Sequence, residues 1–116
     1  MNTRAIGADK ETTACDYLIQ NGIKIKERNF RCRQGEIDII GYDGQYLVFF
    51  EIKYRKTISK GSAVEAVNYK KQHKICRVSD YYRMIHHCPD NTPIRFDVVA
   101  IDDNEIMWYK DAFYYC

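Results

Sequence analysis

Asp43-Gly44, set between two apolar runs, constrains this chain more than any other feature. Asp-Gly flanked by alternating hydrophobic residues is a strong hairpin signal, because both residues accept the positive φ that a type I′ turn demands. The dipeptide predicts that Ile37–Tyr42 and Gln45–Tyr54 pair antiparallel. With Asp43 and Gly44 as the whole loop, Tyr42 faces Gln45, Ile40 faces Leu47, Asp38 faces Phe49 and Glu36 faces Glu51. Facing residues share a side of the sheet. One side then carries Ile37, Ile39, Val48, Phe50, Ile52 and Tyr54. The other carries Ile40, Leu47 and Phe49 near the turn, and Glu36, Asp38, Glu51 and Lys53 away from it.

The remaining elements follow from periodicity and caps. Gly7–Gln20 places Glu11, Cys15 and Leu18 on one helical face, and Asn21-Gly22 supplies a left-handed C-cap. Ile23–Arg31 opens with the period-two alternation of a half-exposed strand. Asn68 is suited to cap a second helix running to about His86, with Ile75, Val78, Tyr82 and Ile85 at spacings of three and four. Ile94–Ile101 and Glu105–Tyr109 read as two closing strands, and His86-His87-Cys88 as a helix C-terminus.

At 116 residues the chain is expected to be one domain, 1–116. No apolar run approaches the length needed to cross a bilayer, which argues against a membrane partner. Met1–Lys10 lacks a secretory signal, so a cytoplasmic location and reduced thiols are expected. The five cysteines form no C-x-x-C pair and are read as small packing residues.

Candidate chemistry lies on the hairpin's mixed side. Acid-x-Lys triplets such as Glu51-Ile52-Lys53 arise by chance about once in a chain of this composition, so the surroundings must supply specificity. Glu36, Asp38 and Glu51 share one patch, where like charges repel unless protons or a cation neutralise them. A hard divalent ion such as Mg²⁺ needs one or two carboxylates plus water and phosphate oxygens. Asp38 and Glu51, diagonal on neighbouring strands, meet that need, and Lys53 is placed to orient water or stabilise growing negative charge. The alternative is an ordinary solvent-facing sheet on which Lys53 pairs with Glu51 or Glu36.

Gly7-x-x-x-Glu11-x-x-Ala14, Arg28-Asn29-Phe30-Arg31, Gly35-Glu36-Ile37-Asp38, Val48-Phe49-Phe50-Glu51-Ile52-Lys53 and Arg95-Phe96-Asp97-Val98-Val99 occur in that order. Together they resemble the YraN-type family of small bacterial proteins, assigned to the PD-(D/E)xK, or restriction-endonuclease-like, superfamily and similar to archaeal Holliday junction resolvases. The resemblance implies an α/β fold with a restriction-endonuclease-like core, αβββαβ plus a C-terminal strand, in which a central mixed sheet is flanked by helices. It implies a Mg²⁺- or Mn²⁺-dependent nuclease acting on DNA, possible action on branched DNA, and a homodimer that matches paired cuts with a two-fold axis. It assigns Asp38 and Glu51 as metal ligands, Glu11 as the helix-one acid of the same site and Lys53 as the catalytic lysine. Ile37 stands where the superfamily name has proline, which leaves Glu36 as an alternative to Asp38.

Lys53–Arg77 holds eight Lys/Arg against one Glu, a concentration that attracts polyanions by counterion release and equally describes a solvated helix face. Lys56, Lys60, Lys70, Lys71 and Lys74 are the candidate phosphate contacts. Gln72 joins them through the resemblance, as Lys71-Gln72 matches a pair early in the family's second helix. The same fold without cleavage would be a nucleic-acid-binding or partner-docking module.

Overall fold

The computed structural model describes residues 3–54, 67–102 and 105–116, with side chains from residue 10 onward. Helix α1 (Thr3–Gln20) precedes three strands, β1 (Lys24–Cys32), β2 (Gly35–Asp43) and β3 (Tyr46–Tyr54). Helix α2 (Tyr69–Ile85) then leads to β4 (Ile94–Ile101) and β5 (Ile106–Phe113).

The helix boundaries have local causes. At the end of α1, Gly22 takes φ +93°. The Ile23 N–H donates to the Leu18 carbonyl at 3.0 Å, and the Gly22 N–H to Ile19 at 3.1 Å. This is a Schellman motif, closed by apolar contact between Leu18 and Ile23 in one cluster. At the start of α2 the Asn68 side chain accepts the Lys71 N–H at 2.9 Å, as the sequence predicts. His86 is the C-cap, so His86-His87-Cys88 is a helix terminus.

The five strands form one sheet in the order β1-β2-β3-β4-β5. Neighbours are antiparallel except β3 and β4, which run parallel across the connection that carries α2. Ile39, Val48, Phe50, Val99 and Ile101 pack with Ala14, Cys15 and Leu18 of α1. Ile40, Leu47, Phe49, Phe96 and Val98 pack with Ile75, Cys76, Val78 and Tyr82 of α2. Each helix therefore buries one face of the sheet. All five cysteines are free, with Cys15 and Cys76 buried.

Three expectations need correction. The hairpin loop is Gly44-Gln45, with Asp43 paired to Tyr46 and Ile40 to Phe49. Gly44 takes φ +59° at the first loop position, where a type II′ turn favours glycine. Moving the loop by one residue displaces each facing partner by two, so the sides of β3 are retained while the pairs change. Ile37 does not share a side with Ile39, because it packs with Phe30 in the cluster beneath α2. The last strand runs on to Phe113, past Asp111 at φ +54°, through an irregularity opposite Asp97.

The pairing also forks. Strands β2 and β3 are paired from Asp43↔Tyr46 to Ile39↔Phe50, whereas β1–β2 pairing continues to Cys32↔Gly35. On the other side β3–β4 pairing continues to Tyr54↔Ile101. Past Ile39 and Phe50 the sheet thus divides between β2 and β3, opening a gap at the residues singled out for chemistry.

Candidate active site

Asp38 stands at the mouth of this fork. Extending the register of the paired segment would set it opposite Glu51, not diagonal to it. Where β2 departs, the Ile52 N–H donates to Asp38 Oδ2 at 2.8 Å, replacing a ladder acceptor with a carboxylate. Asp38 also lines a cavity of about 210 Å³ together with Lys10, Glu11, Ile52 and Tyr54. Burial foremost, and then the charge of Glu51, push its carboxyl up to about 7, with Glu11 and Glu36 adding to the rise. The Ile52 N–H opposes the shift without cancelling it.

Glu51 is buried on β3, and its Oε1 lies 3.4 Å from Lys53 Nζ and 3.7 Å from Lys71 Nζ. Alternation along β3 puts Lys53 on the same side as Glu51, and the first turn of α2 brings Lys71 over them. Glu11 projects from α1 and lies 3.4 Å from Arg28 Nη2, which also donates to Thr12 Oγ1 at 3.1 Å. Glu36 pairs with Arg31 on β1. That pairing leaves Asp38 as the acid of β2 at the fork.

The basic candidates separate. Lys70 and Lys74 are exposed on α2, while Lys71 joins Glu51. Gln72 donates its amide to the Val67 carbonyl at 2.8 Å, a contact that holds the entry to α2. Lys56 and Lys60 lie outside the described residues.

Among the described residues no three His, Cys, Asp or Glu side chains close around one ion-sized point. The donor set still suits a hard cation. Asp38 is half-buried and feels the charge of buried Glu51, and among the described residues the hydrogen bond to Asp38 comes from a neutral N–H. Mg²⁺-type sites use one or two carboxylates and complete the shell with water and substrate oxygens.

Asp97 shows what a purely structural acid looks like in this fold. It is fully buried and accepts from Arg95 Nε at 2.9 Å, Arg95 Nη2 at 2.8 Å, Trp108 Nε1 at 2.9 Å and the Asp111 N–H at 2.9 Å. Arg95 also reaches Asp43 at 2.9 Å, tying the hairpin to β4. Asp97 is neutralised by Arg95 and bonded at both oxygens, whereas among the described residues the hydrogen bond to Asp38 comes from a backbone N–H. Sequence reasoning missed both this network and the contact of Arg28 with Glu11. An acid inside the apolar run Ile94–Ile101, two residues from Arg95, was the available signal for the first.

Among the described residues, a five-stranded mixed sheet covered by one helix on each face, with the order helix, three strands, helix, two strands, is compatible with a restriction-endonuclease-like core. The chain belongs to the uncharacterised protein family UPF0102, the YraN family, whose pattern matches residues 10–101. It is 45% identical over 113 residues to a UPF0102 protein of Lachnoclostridium phytofermentans, covering 97% of this chain and 96% of that one. A UPF0102 protein of Caldicellulosiruptor bescii is 42% identical over 119 residues, with 97% and 100% covered. One from Legionella pneumophila strain Corby is 39% identical over 113 residues, with 96% of each chain covered. No helix among the described residues is long and apolar enough to cross a membrane.

Proposed function

We propose that this protein is a nuclease that hydrolyses phosphodiester bonds in DNA, branched DNA included, with Mg²⁺ or Mn²⁺ as cofactor. The observation that carries this reading is Asp38, a carboxyl held in a fork beside Glu51, partly dry and pushed up to about 7. Such a group gains more from a hard cation than an exposed acid does. Asp38 and Glu51 would hold the ion, with Glu11 on the adjoining cavity wall. The ion would polarise a phosphate oxygen and lower the pKa of bound water. Lys53, with Nζ 3.4 Å from Glu51 Oε1, is placed to orient the water or to meet charge growing on the phosphate. Exposed Lys70 and Lys74 continue the positive surface along α2, where the DNA backbone would lie.

A second reading has its own support, since Lys53 and Lys71 both neutralise Glu51. With that acid paired internally, the same surface would serve a nucleic-acid-binding module without cleavage. Single-turnover assays of the pure protein on a labelled four-way junction, a flap and single-stranded DNA, in Mn²⁺ and in EDTA, separate the two. Cleavage that requires the metal and is lost in Glu51→Gln supports the nuclease. Binding without cleavage of any substrate supports the module.

A further inference from the structure

Asn29 holds φ +55° inside β1. This left-handed backbone is one that Asn tolerates better than most residues, and it interrupts the alternation of a strand. The flanking pairs, Arg28↔Ile39 and Phe30↔Ile37, set Asn29 opposite Asp38.

Residues two apart in a regular strand share a face. At this level of the sheet they do not, in either strand. Arg28 turns to Glu11 and Thr12 of α1, while Phe30 packs edge-on against Tyr82 of α2 with ring centroids 5.2 Å apart. Ile39 packs beneath α1 and Ile37 beneath α2. Both strands therefore change sides at one level, and Asp38 is the β2 residue at the change. Regular alternation there would either bury the Arg28 guanidinium beside Tyr82 or expose Phe30.

We propose that Asn29 is a positioning residue, whose left-handed backbone turns β1 and β2 together so that the Asp38 carboxylate leaves the ladder and enters the fork beside Glu51. The inference deepens the proposed metal site and rests on that reading for its functional meaning. Its geometric content stands on the Ile52 N–H, which is held by Asp38 only if the carboxylate is so directed.

Asn29→Gly and Asn29→Val test it. Glycine keeps the positive φ, and a β-branched residue opposes it. Two readouts are needed: hydrogen exchange of the Ile52 amide relative to the other β3 amides, and Mn²⁺ binding by calorimetry. Asn29→Val is expected to expose the Ile52 amide about tenfold and weaken Mn²⁺ binding roughly tenfold or more, with both near parent levels in Asn29→Gly. Asn29→Ala takes the place of the valine variant if that chain does not fold. The inference is overturned if a folded Val or Ala variant keeps Ile52 protection and Mn²⁺ affinity, which would leave Asn29 a merely structural residue. Should the parent bind no Mn²⁺, the metal site itself is refuted, and the Ile52 amide alone decides the role of Asn29.

Discussion

Asp38→Asn is expected to stabilise the metal-free protein, increasingly so as pH rises. In the folded chain this carboxyl is pushed up to about 7, by burial and then by Glu51. In an unfolded chain it ionises near the usual value of about 4. Between those values the folded state holds the extra proton, so this group's contribution to stability falls as pH rises from about 4 to about 7 and is level above. A displacement of roughly three pH units corresponds to about 4 kcal/mol in full, of which about 2 to 3 kcal/mol falls between pH 5 and pH 8. Asn offers the Ile52 N–H a carbonyl oxygen in place of the carboxylate now 2.8 Å away, and it does not ionise. Over that pH interval the variant should gain on its parent by about 8 to 12 °C in Tm, at the scale for a domain of this size. Thermal melts by circular dichroism in EDTA, taken at pH 5, 6, 7 and 8 for both proteins, provide the measurement. A Tm difference that stays flat across this range, or moves against the variant as pH rises, would refute the electrostatic account. Mn²⁺ at pH 8 should raise the parent's Tm and leave that of Asp38→Asn nearly unchanged, because only the parent has the full ligand pair.

Lys53→Ala should fold and bind metal yet lose roughly 10²- to 10³-fold in single-turnover cleavage, with Lys53→Arg failing to restore it fully. Parent-level cleavage by Lys53→Ala would remove the lysine from the mechanism. Replacing Lys70, Lys71 and Lys74 by Gln should reduce the slope of log affinity for DNA against log salt by about 2 to 3, and an unchanged slope would place the DNA elsewhere. Asp97→Ala should destabilise the fold by about 3 to 5 kcal/mol in urea melts, since Arg95 is left mostly buried and without its main partner. A loss under about 1 kcal/mol would show that the Asp97 network is dispensable.

Much of the scaffold was legible because its determinants are local. The Asn68 cap, the Asn21-Gly22 terminator and the alternation of Val48–Lys53 each depend on a few consecutive residues, so they could be read before any contact was known. The sides of β3 survived even a loop displaced by one residue, because the strand's period of two is indifferent to a shift of partner by two. The ordered motifs likewise carried the family, confirmed by relatives matching nearly the whole chain.

What the sequence alone determined, then, is the order of elements, the hairpin and the shared side of Glu51 and Lys53 on β3; Glu36, expected on that side too, lies past the side change at Asp38 and pairs with Arg31. Tertiary structure decided how that set is used. Whether Asp38 faces Phe49 or stands level with Glu51 depended on the loop residue that took positive φ, and turn propensity did not distinguish Asp43-Gly44 from Gly44-Gln45. Glu36 went to Arg31 and Glu11 to Arg28, while Lys71 arrived over Glu51 from a helix many residues away. The side change at Asn29 appears in no periodicity, because a left-handed residue breaks the pattern from which periodicity is read. Charge, burial and proton affinity at Asp38 come from elements distant in sequence, and they exist only once packing has removed water and brought those elements together.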